Sequence, residues 1–238
     1  MDNFFSFFSV DNVAFAIGRQ QVSYLEIACM LSGVICIFLA VRAKVSNFWV
    51  GYLYNILLFP LFLQKGLYSS MILQPISFAI NVFGHYRWTH PRQNEANNQR
   101  ELKISLMSNS QRIIGLLAVV ALTFLWWQFV LKMHEWFPPM YAVTPFRKLL
   151  DAFVVVMVLV AQLLAAQKKL DCWGAWMTVN VTNVTLYSLS GLLFLTIETG
   201  TKIVLATFGF LHWLKKYKKD NVIMSKCDDV MMNKCDNE

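Results

Sequence analysis

The residues of this chain best equipped for chemistry are amides and indoles set in apolar sequence. Trp173, Trp176 and Asn180 form a W-x-x-W-x-x-x-N segment. On a helix Trp176 and Asn180 share a face, with Trp173 one turn away. Gln74, Asn81 and Trp88 recur every seven residues and therefore lie on one helical face. Asn55 lies in another apolar run, and Asn183 follows Asn180 by one turn. An amide in hydrocarbon is costly unless it is paired or faces a cavity. A stripe of amides with an aromatic can hydrogen-bond a polar ring substituent and stack on the ring. The competing reading is structural: buried Asn and Gln clamp helices together in membranes, and Trp173 suits an interfacial aromatic belt.

Other chemistries lack their residues. No nucleophile–base arrangement and no phosphate-binding glycine loop occurs, so no enzyme and no catalytic residue is expected. Cys29, Cys36 and Cys172 lie in or beside apolar runs, and Cys227 and Cys235 lie in a polar tail. None has metal-ligand spacing, and all five read as ordinary thiols. His85, His90, His134 and His212 form no ligand pair, so no metal or other cofactor is expected.

The elements that position the amides follow from composition. Of 238 residues, 57% are apolar and only 15% charged, whereas a soluble domain carries about 25% charged residues. Seven runs are long enough to cross a bilayer: 24–41, 48–64, 67–86, 113–131, 149–166, 173–189 and 192–213. The chain therefore reads as an all-α polytopic membrane protein whose first partner is the lipid bilayer. The formal charge of +7 comes from residues at the ends of these runs, which argues against a nucleic-acid partner.

Seven crossings put Arg19, Lys65, Lys132, Arg147, Lys148 and Lys202 on one side and the other fifteen basic residues on the opposite side. The positive-inside rule makes the richer side cytoplasmic, with the N-terminus outside and the C-terminus inside. Residues 1–23 form an N-terminal interfacial segment, read as an amphipathic helix for its Phe4, Phe5, Phe7, Phe8 and Phe15. Glu26, Asp151 and Glu198 read as acids near span ends. None has an evident basic partner at mid-membrane, so proton coupling is not favoured.

Shifting the chain by 125 residues matches Leu25–Trp88 to Leu150–Trp213 without a gap. Asn55 falls on Asn180, Gly66 on Gly191, Phe83 on Phe208, Gly84 on Gly209, Trp88 on Trp213 and Lys44 on Lys169. The expected organisation is a three-helix bundle at 24–88, a cytoplasmic loop at 89–112 and a linking transmembrane helix at 113–131. An external loop at 132–148, a second three-helix bundle at 149–214 and a cytoplasmic tail at 215–238 complete it. Both copies enter the membrane in the same direction, a parallel 3+1+3 repeat of the kind found in SWEETs, with a substrate site near the midplane. Phe124, Trp126, Trp127 and Phe129 on the linking helix suit lipid or a second copy in a homo-oligomer.

With Trp173, Trp176 and Asn180 in W-x-x-W-x-x-x-N, and Asn81 and Trp88 in N-x₆-W, the chain resembles the PnuC family. Lys44–Asn55, Gln74 and the opening MDNFFSFFSVDN also read as family-like, and the resemblance runs to about residue 220. It implies a bacterial inner-membrane carrier of nicotinamide riboside working by facilitated diffusion. A cytoplasmic kinase would trap the riboside by phosphorylation. Relatives carry thiamine or riboflavin, and a membrane receptor without transport is the alternative from another class. The implied substrate contacts are Gln74, Asn81, Trp88, Trp173, Trp176 and Asn180. The repeat adds Asn55, and Asn183 joins by its place one turn beyond Asn180. Phe48 and Gly51 stand where the second copy has Trp173 and Trp176, so any shared binding role is asymmetric. An aromatic face attracts a flat cation, and an amide can satisfy both ends of a carboxamide.

Overall fold

The computed structural model describes residues 8–17, 20–64, 68–92, 95, 101–136, 144–189 and 193–235. Among them the chain forms one β-hairpin and seven α-helices. The strands are β1 (Val13–Ile17) and β2 (Gln20–Ser23). The helices are α1 (Tyr24–Val41), α2 (Ser46–Gln64), α3 (Tyr68–Thr89), α4 (Asn109–Trp136), α5 (Pro145–Ala166), α6 (Cys172–Leu189) and α7 (Leu193–Cys235). Four helical stretches are long and apolar enough to cross a membrane: Tyr24–Val41, Ser46–Gln64, Asn109–Lys132 and Lys148–Ala166. The other three helices carry the polar residues of interest, Gln74 and Asn81 in α3, Asn180 and Asn183 in α6, and Glu198 and Lys202 in α7.

Two sequence expectations change here. The interfacial helix is replaced, over residues 13–23, by an antiparallel hairpin that pairs Phe15 with Val22 and Ile17 with Gln20. Val, Phe and Ile suit a strand, and Gln64 at the end of α2 ties down the chain leading into it. Its Nε2 donates to the Phe8 carbonyl at 2.6 Å, and its Oε1 accepts from the Val10 N–H at 3.0 Å. Residues 1–7 lie outside the described set. The tail is not separate from the last helix either, since α7 continues to Cys235. Glu26 belongs to a capping box: the Ser23 hydroxyl accepts from the Glu26 N–H, and the Glu26 carboxylate accepts from the Ser23 N–H.

Helices α1, α2 and α3 pack in sequence, as do α5, α6 and α7, and the two groups meet where α3 lies on α5 and α1 on α7. Helix α4 packs on α5, and the Trp126 indole N–H donates to the Ser69 hydroxyl of α3 at 3.0 Å. Ile113, Ile114, Leu116 and Leu117 of α4 are each more than 60% exposed, which water would penalise and lipid favours.

Details recur at the 125-residue offset. The α1–α2 turn places Ala43 at φ 53°, and the α5–α6 turn places Lys168 at φ 55°. Lys44 N–H donates to the Leu39 carbonyl at 3.1 Å, and Lys169 N–H donates to the Leu164 carbonyl at 2.9 Å. The Trp88 indole N–H donates to the Ala165 carbonyl at 3.2 Å, and the Trp213 indole N–H donates to the Ala40 carbonyl at 3.0 Å. Each tryptophan thus belongs to the third helix of one group and bonds the first helix of the other. Trp213→Phe is expected to cost about 1–3 kcal/mol, from a lost hydrogen bond and a small cavity. Thermal unfolding of the purified protein in detergent checks this, and Trp88→Phe should behave alike.

Residues 101–108 close this end of the molecule. Ser105 N–H donates to the Lys168 carbonyl at 3.2 Å, and Leu170 N–H donates to the Ser105 carbonyl at 2.9 Å. The Asp171 carboxylate accepts from the Met107 N–H at 2.8 Å and pairs with Arg112. Leu102 and Ile104 are buried in one cluster with Trp88, Trp173 and Trp213. The long polar loop of the sequence therefore includes an ordered strap laid across both helix groups.

Candidate functional site

Asn55 and Asn180 occupy equivalent positions near the middles of α2 and α6, and both are buried. The Asn55 Nδ2 donor is enclosed without an acceptor in the protein. Such a donor in an apolar interior carries a penalty that a ligand oxygen or a water removes. Asn183 is half-buried one turn beyond Asn180. In α3, Gln74 is buried and donates to the Ser70 carbonyl at 2.9 Å, while Asn81 is half-buried. Asn81 lies against Gly51 of α2, where a Cβ would come 3.0 Å from its Nδ2. Glycine is thus what admits this amide. The equivalent pair in α6 and α7 is Trp176 and Ala206, a large ring and a methyl belonging to one cluster. Small beside amide in one half answers large beside small in the other, which gives the asymmetry its structural form.

Trp88 and Trp173 come together elsewhere, about two helical turns from Asn55 and Asn180 along the axes. Trp213 joins them, with centroids 5.8 Å from Trp88 and 5.5 Å from Trp173. Phe48 packs edge-on to Trp88 at 5.0 Å, as Trp173 does to Trp213. The Trp88 donor is engaged by Ala165, whereas Trp173 Nε1 is buried without a partner. Trp176 packs against the same cluster, one turn before Asn180 on α6. Of the eight sequence candidates, Asn55, Gln74, Asn81, Asn180 and Asn183 therefore lie along the helix interiors. Trp88 and Trp173 wall one end, with Trp176 between. Among the described residues no cluster of His, Cys, Asp or Glu could hold a metal.

Lys168 closes this wall. Its side chain is 2% exposed, its ammonium lies 4.7 Å from the Trp88 ring centroid, and Glu101 is 3.9 Å away. Burial, helped by the neighbouring Lys216, lowers its pKa from 10.5 to about 8 against the opposing pull of Glu101 and Asp220. Below about pH 8 the group is charged in both folded and unfolded chains, so its cost to folding is constant. Between about 8 and 10.5 the folded chain sheds the proton first, so stability rises with pH through that window. Lys168→Met is therefore expected to raise the melting temperature at pH 7, by a margin that shrinks at pH 10. Paired thermal melts at the two pH values check this.

Two features escape the sequence reading, the Glu198–Lys202 ion pair and the Tyr52–His85 contact. The sequence counts Lys202 with the outer side, within the run 192–213, and reads Glu198 as an acid near a span end with no evident basic partner. The structure places both within α7, paired at 2.8 Å and largely shielded. Their i,i+4 spacing was visible in the sequence, and the offset that puts Lys202 on Ser77 was a second signal. Tyr52 was also missed: its hydroxyl meets His85 Nδ1 at 3.0 Å beside Phe48 and Trp49.

Comparison with known proteins agrees with this architecture. Residues 23–215 match the family model described as nicotinamide mononucleotide transporter. The nicotinamide riboside transporter PnuC of Escherichia coli is 29% identical over 241 residues, covering 90% of this chain and 96% of that one. The riboflavin/roseoflavin transporter RibM of Streptomyces davaonensis is 22% identical over 214 residues, covering 89% and 94%. The crystal structure of the vitamin B3 transporter PnuC superposes with a TM-score of 0.62 at 20% identity, covering 83% of each chain; at that identity the likeness speaks for the fold. With helices that span a membrane and a family model that takes in all but the two ends, the chain belongs to the nicotinamide mononucleotide transporter family, that of the PnuC proteins.

Proposed function

We propose that this protein carries nicotinamide riboside across the bacterial inner membrane by facilitated diffusion. Phosphorylation by a cytoplasmic kinase then traps the riboside inside the cell. The observation that carries the reading is the pair of buried amides Asn55 and Asn180 at equivalent depths, one with an unanswered donor. A carboxamide or a ribose hydroxyl answers it, and the Trp176 face suits a flat cationic ring. The riboside is favoured over the mononucleotide because a phosphate requires compensating cations. Lys202, on the inward side of α7, already faces the Glu198 carboxylate.

All seven helices cross the membrane in this reading, as a 3+1+3 repeat with α4 as the link. The repeated turns and the exchanged tryptophan bonds support that organisation. The lysine-rich end carrying Lys44, Lys168, Lys169 and Lys216 is cytoplasmic, as is the C-terminus. Rocking of the two bundles would open the path to each side in turn. The likeness to RibM keeps riboflavin as a second reading.

Proteoliposomes loaded with buffer alone test the transport mode. Labelled nicotinamide riboside is expected to enter saturably and stop at the outside concentration. Accumulation above that level contradicts facilitated diffusion, and failure to exceed empty liposomes contradicts transport.

A further inference from the structure

Folding alone gives no reason for the lysine at position 168. It occupies the α5–α6 turn at φ 55°, a left-handed conformation that is costly for a residue with a Cβ. The turn itself needs no lysine. At the 125-residue offset the first half fills the same turn with Ala43, at φ 53°. The Lys168 side chain is nonetheless buried, and burying an ammonium costs free energy that burying a methyl does not. Residues that break local rules in this way are expected at functional sites.

The groups around the ammonium come from both helix groups and from the strap. The Trp88 ring of α3, in the first group, lies 4.7 Å from it. Glu101 of the strap stands 3.9 Å away, is half exposed, and also serves Lys216 at 3.2 Å. Lys216 and Asp220 of α7 act on it with opposite signs. The Lys168 carbonyl holds the strap too, accepting from the Ser105 N–H. The Trp88 face and the Glu101 carboxylate return part of the cost of burial. Burial, reinforced by Lys216, still lowers the pKa to about 8, so part of the cost remains. When rocking parts the first group from the second at this end, Trp88 leaves Lys168 and the ammonium regains water. The remaining cost therefore falls on the closed end.

We infer that Lys168 is a spring in the cytoplasmic gate: its charge, covered while Trp88 and the strap close this end, raises the free energy of the closed state and speeds opening. This rests on the reading of the protein as a carrier with rocking bundles and a cytoplasmic lysine-rich end. Lys168 acts through Trp88 and the strap, so it is a positioning residue. Taking its charge away shifts the equilibrium toward the closed state, the direction already expected of Lys168→Met in thermal melts at pH 7.

Two native thiols read the gate. Cys172 is buried in the cluster that holds Trp88, Leu102 and Trp213, and Cys29 is buried in a separate cluster with Leu25 and Leu57. Alkylation of the detergent-purified full chain, followed by peptide mass spectrometry, gives both rates, and Cys29 reports opening of the rest of the fold. Lys168→Met is expected to slow Cys172 about ten-fold more than Cys29. In proteoliposomes it should lower maximal riboside uptake about ten-fold, with the half-saturating concentration equal or lower. Lys168→Arg keeps the charge and should keep the wild-type rates. If the two cysteines slow alike, if Cys172 keeps its rate, or if maximal uptake is undiminished, the inference is overturned. Should Lys168→Met fail to fold, Lys168→Ala, which gives the turn the residue of the first half, decides by the same criteria. Wild-type protein that carries no riboside defeats the carrier reading instead, and the Cys172 rate then judges the gate by itself.

Discussion

Replacing Asn180 by alanine is expected to bring riboside uptake to background while the protein still reaches the membrane. Asn180 is buried at the middle of α6, at the position equivalent to Asn55, with Trp176 one turn before it on the same face. Truncation leaves a polar group of the ligand facing hydrocarbon side chains. That costs about 1–3 kcal/mol, or roughly five- to a hundred-and-fifty-fold in affinity, which at tracer concentration is most of the signal. Trp176→Ala removes the stacking face and should cost about as much. Thr178→Ala is the control, because its hydroxyl is exposed and donates to the Gly174 carbonyl of its own helix. Uptake assays beside membrane blots check all three. Normal uptake by both Asn180→Ala and Trp176→Ala contradicts the site assignment.

Gly209→Ala is expected to be the most damaging of the small substitutions for the folded protein. A Cβ there would lie 2.4 Å from Trp173 Cη2 and within 2.6 Å of two further ring atoms. The ring cannot yield easily, since Trp173 is 4% exposed and packed against Trp213. Overpacking of this kind costs about 1–3 kcal/mol or more. Gly84→Ala repeats the conflict against Phe48 Cε1 at 2.7 Å and Ala166 Cβ at 2.9 Å. Gly174→Ala meets nothing within 4 Å and should be neutral or slightly stabilising, since alanine favours the helix. Thermal unfolding ranks the three. Trp173→Phe should partly rescue Gly209→Ala, because the smaller ring lacks the indole benzo atoms that the added Cβ meets.

Much of this was legible from the chain. Periodic apolar runs predict the helices, and scarce residues such as Asn55, Gly84 and Trp88 reveal the offset at which the structure repeats its turns. The motif residues Trp176 and Asn180 lie on one inward row because a four-residue spacing demands it. Other features were hidden for physical reasons. The chain leading into the β1–β2 hairpin is held by Gln64, 54 and 56 residues from Val10 and Phe8, and no local pattern announces those bonds. The strap at 101–108 looks like polar loop, and only its contacts with Lys168, Asp171 and Trp88 show Leu102 and Ile104 to be core. Lys202 counts with the outer side because charge usually marks a span end; its ion pair with Glu198 one turn away shows only in the structure. Spacing puts Trp88 in one stripe with Gln74 and Asn81, and suits Trp173 to an interfacial belt. Spacing along one helix cannot tell a wall from a contact, and the cross-helix partners Ala165, Phe48 and Trp213 place them at the end.

The central claim is that the amide and indole residues between the two helix groups recognise a flat cationic nucleoside. Calorimetric titration of the purified protein with nicotinamide riboside, thiamine and riboflavin tests it most directly. The expected result is saturable binding of the riboside, weak or absent heat from the other two, and loss of the riboside signal in Asn180→Ala. No binding of the riboside by the wild-type protein, or tighter binding of thiamine or riboflavin, would contradict it.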